Sequence, residues 1–231
     1  MEIHFVLVEP GVPENVGAAA RAIKTMGFNK LILVKPCDHL SAGARKLAHG
    51  SGEILENAIV QRNIADALAQ MDLVIASTAR YRVAKEDYMD AGGLKSFMEM
   101  RYNTYKNVAM VFGREESGLS NAELSFCDIT TTVPMASSYP SLNLAQAVMI
   151  YAYILADAVS AISSPGKEVS PLNQGSLRSK IDSLLSGTKI EKNETLRGRI
   201  MERLALASDK DLRLIHSVCN SLTAKYEKNK Q

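Results

Sequence analysis

Three short segments gather the residue types that could do chemistry. The first, residues 13–21 (PENVGAAAR), sets Gly17 one turn before Arg21 on one helix face, so a ligand could approach bare backbone beside a guanidinium. A helix start capped by Asn15, with Arg21 in solvent, accounts for the same residues without a ligand. The second, residues 112–123 (FGREESGLSNAE), has Gly113 and Gly118 at the spacing of a P-loop, but Leu119 stands where the phosphate-binding lysine would be, and the chain holds no G-x-G-x-x-G. What remains is a glycine-bounded turn carrying Arg114, Glu115 and Glu116, with Ser120 and Glu123 at capping-box spacing. Two adjacent carboxylates and an arginine exceed what packing requires, although a purely structural turn would look alike. The third, residues 133–145 (VPMASSYPSLNLA), delivers Ser141 and Asn143 to a helix entry, where free N–H groups and short polar side chains can hold an anion or a polar ligand edge. Capping alone would explain only one of the two.

Each segment follows a candidate strand. Short β-like runs at Ile3–Val8, Leu31–Val34, Leu73–Ser77, Asn107–Phe112 and Ile129–Val133 alternate with helical periodicities, the pattern of an α/β domain with a mainly parallel sheet. In such sheets ligands bind beyond the carboxyl ends of strands, where the three segments fall. Val16, Ala19, Ala20, Ile23 and Met26 recur at helical spacing, and Gly27 follows as a C′ residue. Asn63 is a candidate N-cap for Ile64–Met71, and Leu94–Met100 reads as a further helix. A long helix over Asn143–Ile162 is apolar nearly all round, so it must be covered on both sides, either by the domain wrapping it or, as is favoured so late in the domain, by a homodimer contact. Residues 163–171, with two prolines, a glycine and serines, read as a linker. Helical stretches at 176–185, 194–207 and 209–228 make up a C-terminal extension spanning 172–231.

Composition narrows the class. The 231 residues are 46% hydrophobic and 23% charged, an ordinary globular profile that excludes disordered, collagen-like and disulfide-scaffold chains. Cys37, Cys127 and Cys219 are odd in number and far apart, and His4, His39, His49 and His216 form no local ligand pair, so no metal is expected. The absence of a signal-like segment and of an uncharged apolar run long enough to span a bilayer leads to the expectation of a cytoplasmic protein with no membrane partner. The net charge of +2 hides an asymmetry: residues 1–166 carry −3 and residues 167–231 carry +5. A basic appendage on a mildly acidic body suits a polyanion, although solvated Lys/Arg-rich helices give the same tally.

In this order and at these separations, NVGAAARA (15–22), FGREESGLSNAE (112–123) and VPMASSYPSLNLA (133–145) resemble the three signature motifs of the SPOUT-superfamily RNA ribose 2′-O-methyltransferases of the TrmH type, and within it the subgroup of TrmJ and LasT. The resemblance covers about residues 1–160. It implies an α/β domain over 1–162 with a C-terminal deep trefoil knot, a homodimer, and S-adenosyl-L-methionine as cofactor. By the same resemblance, Thr78, Ala79, Arg80, Gly113, Val133, Pro140, Ser141, Leu142 and Asn143 bind the cofactor, Pro140 departing from the Ser that many relatives have there. The reaction centre falls on Asn15, Arg21, Glu115, Ser141 and Asn143.

The expected activity is therefore methylation of a ribose 2′-OH in tRNA, with the anticodon loop as target because the subgroup includes enzymes acting there. A rRNA or base methyltransferase of the same fold, or a non-catalytic RNA-binding protein that keeps the cofactor pocket, are the alternatives. A guanidinium keeps its proton in proteins, so Arg21 suits stabilising a developing alkoxide better than acting as a base.

Overall fold

The computed structural model describes residues 1–79, 88–137, 141–162, 174–186, 188, 190–191, 193–207 and 209–228. Seven strands form one parallel sheet: β1 (Glu2–Val8), β2 (Lys30–Val34), β3 (Ile59–Gln61), β4 (Leu73–Ser77), β5 (Tyr88–Asp90), β6 (Asn107–Phe112) and β7 (Ile129–Thr132). Their spatial order is β3-β2-β1-β6-β4-β7-β5. The inner strands are buried along nearly their whole length, as strands covered on both faces must be. Alternation assigns β1 side chains to two cores. Val6 and Val8 join Val74, Val111, Ile64, Leu68 and Leu124 beneath α4 (Ile64–Leu68) and α6 (Asn121–Leu124). On the other face Phe5 stacks on Phe112 at 6.5 Å, and Phe112 meets Tyr151 of α7 (Leu144–Ile162) edge-on at 5.7 Å.

Local chemistry explains the element ends. Helix α1 (Pro13–Thr25) closes in a Schellman turn: Phe28 N–H donates to Ile23 carbonyl at 3.0 Å and Gly27 N–H to Lys24 carbonyl at 2.9 Å, with Gly27 at φ +83°. Its start corrects the sequence reading. Val12 is the N-cap and makes no side-chain bond, Pro13 opens the helix, and Asn15 lies inside it, leaving the amide free for another partner. Asn63 does cap α4, accepting Asp66 N–H at 2.8 Å, and Ser120 with Glu123 forms the expected capping box on α6.

Strands β3 and β5 and helices α2 (Ala42–Ala48) and α3 (Gly52–Glu56) add to the elements expected from sequence. All are short, and β3 exposes about half of Ile59 and Val60, so it lacks the alternation that marks a strand. Helix α5 (Ala91–Met100) starts three residues before the expected Leu94, capped by Asp90.

The chain divides into two compact units, Met1–Tyr102 with Lys106–Lys167, and Asn103–Tyr105 with Glu168–Gln231. The second unit holds α8 (Gln174–Leu185), α9 (Glu194–Leu206) and α10 (Asp209–Lys228) around Leu177, Ile181, Met201, Leu212 and Cys219. The proposed linker, residues 163–171, lies outside the described residues. Among the described residues no helix is long and apolar enough to cross a membrane, and no group of three His, Cys, Asp or Glu could hold a metal ion.

Candidate functional site

Strands β4, β6 and β7 end side by side, and the segments that leave them enclose a cavity of about 430 Å³ with the entry of α7. Of the nine residues expected at a cofactor, Thr78, Ala79, Gly113, Val133, Ser141 and Leu142 line it. Asn143 follows directly in the chain, and Arg80 and Pro140 lie outside the described residues. Ser77, Phe112, Met135, Leu144 and Ala147 also line it and were not foreseen. Strand-end position alone marks Ser77 and Phe112, and one helical turn beyond Leu144 marks Ala147. Beneath this wall the buried Thr131 hydroxyl bonds Ala76 carbonyl at 3.0 Å and the Tyr151 hydroxyl at 2.8 Å, tying α7 to β7 and β4. Gly113 has no room for a side chain: a Cβ there would lie 2.2 Å from Gly118 carbonyl carbon. The 113–118 turn therefore folds tightly on itself, with Gly118 N–H donating to Arg114 carbonyl at 2.9 Å.

From that turn Glu115 reaches the loop after β1. Its carboxylate accepts Gly11 N–H at 3.0 Å, Val12 N–H at 3.3 Å and the Asn15 side-chain amide at 3.0 Å. Asn15 Oδ1 in turn accepts from Asn143 Nδ2 at 2.9 Å, and Asn143 Oδ1 accepts Ala145 N–H at 2.8 Å. The chain of bonds has one direction, so the acceptor Glu115 fixes both amides, and each amide keeps a second N–H for a ligand oxygen. Burial pushes the Glu115 carboxyl up, but the donors from Gly11 and Asn15 outweigh it and hold the group below its ordinary range. Glu115 is thus an anchor kept ionised, poorly suited to taking a proton near neutral pH. Burial and the nearby Glu115 charge push the Cys37 thiol up, away from thiolate chemistry.

Arg114, which the sequence sets beside Glu115 and Glu116 in the glycine-bounded turn, borders the cavity but is engaged by protein. Its guanidinium makes a two-pronged pair with Glu123 at 2.9 and 3.0 Å and bonds Glu9 at 2.9 Å. Glu116 is exposed. Gly17 also serves packing: a Cβ would lie 2.0 Å from Ala44 carbonyl oxygen, so the bare backbone accommodates α2 and leaves no approach for a ligand. Ser141 is exposed at the cavity. Arg21 is exposed and has no hydrogen bond or ion pair among the described residues. The structure thus brings Asn15, Glu115 and Asn143 together, sets Ser141 on the adjoining wall, and does not join Arg21 to that hydrogen-bonded chain.

A parallel α/β domain with a glycine-turned cleft across its strand ends is the class defined by this fold and site. The SpoU rRNA Methylase family matches residues 2–153, and the chain belongs to that family. Residues 173–226 match the C-terminal domain of the tRNA/rRNA methyltransferase LasT. The chain is 39% identical over 225 residues to the protein of Escherichia coli K12 named uncharacterized tRNA/rRNA methyltransferase LasT, covering 96% of this chain and 97% of that one. It is 39% identical over 176 residues to the tRNA (cytidine/uridine-2′-O-)-methyltransferase TrmJ of Cronobacter sakazakii, covering 73% and 71%. The crystal structure of TrmJ from Z. mobilis superposes with a TM-score of 0.66 at 26% identity, covering 96% of this chain and all of that one.

Proposed function

We propose that the chain is a tRNA methyltransferase that uses S-adenosyl-L-methionine to methylate a ribose 2′-OH, with residues 1–162 as the catalytic domain and 172–231 as a helical RNA-binding extension. The observation that carries this reading is the one-directional bond chain Glu115–Asn15–Asn143 beside the strand-end cavity. It joins residues from all three motifs. The names of the TrmJ relatives support the ribose and the tRNA, and the anticodon loop is our preferred target. A ribose 2′-OH as acceptor also selects RNA over DNA.

The cavity suits the cofactor. Its volume falls in the range of small-molecule sites, roughly 300–1,000 Å³, and its lining mixes apolar Val133, Leu142 and Leu144 with the hydroxyls of Ser77, Thr78 and Ser141. Gly113 lets the turn close on its own backbone at the cavity wall. When bound, S-adenosyl-L-methionine supplies an electrophilic methyl group on a sulfonium. The protein's task is to bring a weak nucleophile into line with that methyl group and to stabilise the charge that develops on it. Asn15 and Asn143, fixed by Glu115, orient the ribose through their remaining N–H donors. Ser141 holds the acceptor at the cavity wall. Arg21, exposed and unengaged among the described residues, stabilises the developing alkoxide and clamps the adjacent phosphate. No metal enters this scheme.

The domain carries the deep trefoil knot of its superfamily in its C-terminal part and works as a homodimer in the cytoplasm. The dimer reading is supported by α7, which buries Val148, Tyr151 and Leu155 yet leaves Tyr153 62% exposed, with Ile150 and Ile154 half-buried. A ribosomal RNA substrate is the second reading, favoured by the match of residues 173–226 to LasT, a protein named for both tRNA and rRNA. Mass analysis of nucleosides from tRNA and rRNA of cells lacking the protein separates the two. Loss of one 2′-O-methyl nucleoside from tRNA is expected; loss from rRNA alone favours the second reading.

A further inference from the structure

Arg114 has no task in the scheme above, yet it is the most heavily engaged side chain at the site. We propose that Arg114 is a positioning residue for Glu115: its ion pairs with Glu9 and Glu123 set the path of the 113–118 turn, and that path delivers the Glu115 carboxylate to the start of α1. The inference rests on the reading in which Glu115 anchors Asn15 and Asn143.

The two residues are adjacent in the turn and staple it to the loop after β1 at two points. Arg114 holds Glu9, and Glu115 holds the Gly11 and Val12 amides two and three residues further on. Glu9 takes a left-handed backbone, φ +48°, which is costly for a residue with a side chain and persists only where several contacts demand it. Those contacts are present. Glu9 N–H donates to Val34 carbonyl at 2.8 Å, and its carboxylate meets Arg114 at 2.7 Å and Lys35 at 3.5 Å, Lys35 itself having φ +43°. Alternating charges Lys35–Glu9–Arg114–Glu123 thus bind the ends of β2, β1 and β6 to α6. Glu123 is committed twice, since it also accepts Ser120 N–H at 2.7 Å in the capping box.

Only a guanidinium can serve this node. It offers a planar fork to two carboxylates at once, whereas a lysine ammonium reaches one well. The Glu123 side chain is 14% exposed and that of Arg114 28%, so solvent screens the pair only in part, and removing the cation leaves Glu123 without its ion pair and Glu9 with the more exposed Lys35 alone. The turn then relaxes, and Glu115 loses its donors.

The test uses the full-length protein and the variants Arg114→Lys, Glu115→Gln and their combination. At a temperature where each stays folded, residue-resolved amide exchange reads the Gly11 and Val12 N–H groups directly, and steady-state methyl transfer to tRNA reads kcat and KM. Arg114→Lys should speed exchange at both amides by about tenfold or more and lower kcat by about tenfold or more, with KM for RNA within about twofold. Adding it to Glu115→Gln should cost no more than about twofold further, because both act through one carboxylate. Unchanged exchange at Gly11 and Val12, or losses that multiply in the double variant, would overturn the proposal. If Arg114→Lys does not fold, Glu9→Gln breaks one arm of the same node and carries the same expectations. If the wild-type protein transfers no methyl group, the functional reading fails, and the exchange measurement still decides whether Arg114 positions Glu115.

Discussion

Glu115 accepts three hydrogen bonds at the junction of two loops, and its protonation would cost the folded state those charge-assisted contacts. Because its folded-state pKa is lowered, the stabilisation is fully present above the unfolded carboxylate value near about 4.3 and is lost as pH falls through the lower folded value. Thermal melts should therefore show the gap between wild type and Glu115→Gln widest at neutral pH and closing below pH of about 4. Arg21 makes a contrasting case, since nothing among the described residues engages it. Arg21→Ala should lower turnover by about 100-fold or more while calorimetry finds cofactor affinity within about threefold. Loss of cofactor binding would contradict the role given to Arg21. Asn15, Glu115 and Asn143 were legible as site candidates from their motifs, but their mutual bonding was not, because partners as far apart in the chain as Asn15 and Asn143 leave no local pattern. The same gap hides the partners of Arg114, since Glu9 is an unremarkable acidic residue until the end of β1 turns it toward the 113–118 turn.

Elements position these residues through close contacts that single atoms decide. Gly17 brings α1 against Ala44 of α2, and a Cβ there would overlap the Ala44 carbonyl. Gly17→Val should destabilise the protein by about 1–3 kcal/mol in chemical denaturation, the usual cost of overpacking, whereas Ala42→Val, at the open first turn of α2, should cost less than about 1 kcal/mol. The inner strands were legible because burial on both faces imposes continuous apolar runs, α1 and α4 because apolar spacing agrees with the Gly27 stop and the Asn63 cap, and α10 from its apolar spacing. The edge strands β3 and β5 were not, since three residues carry no periodicity. Nor was the true start of α1, where Pro13 preset the helix and released Asn15 for Glu115.

At the scale of the whole molecule, the charge asymmetry coincides with the division into two units: the acidic-leaning part holds the cavity and the basic part holds α8 to α10. If the extension neutralises RNA phosphates, removing residues 172–231 should weaken RNA binding and flatten its salt dependence, by about 0.7–0.9 in log–log slope for each phosphate the truncated protein no longer neutralises, while cofactor affinity stays the same. An unchanged slope would leave the basic residues as solubilising charge. Fold class and the helical extension were legible because they follow from patterning along the chain, whereas a knot is a matter of threading that no local periodicity records. The central claim is tested most directly by incubating the purified protein with methyl-labelled S-adenosyl-L-methionine and tRNA, then mapping the product by mass. A 2′-O-methyl group is expected on one tRNA nucleotide, abolished when that nucleotide is 2′-deoxy. Transfer to a base, or to no RNA at all, would contradict the claim.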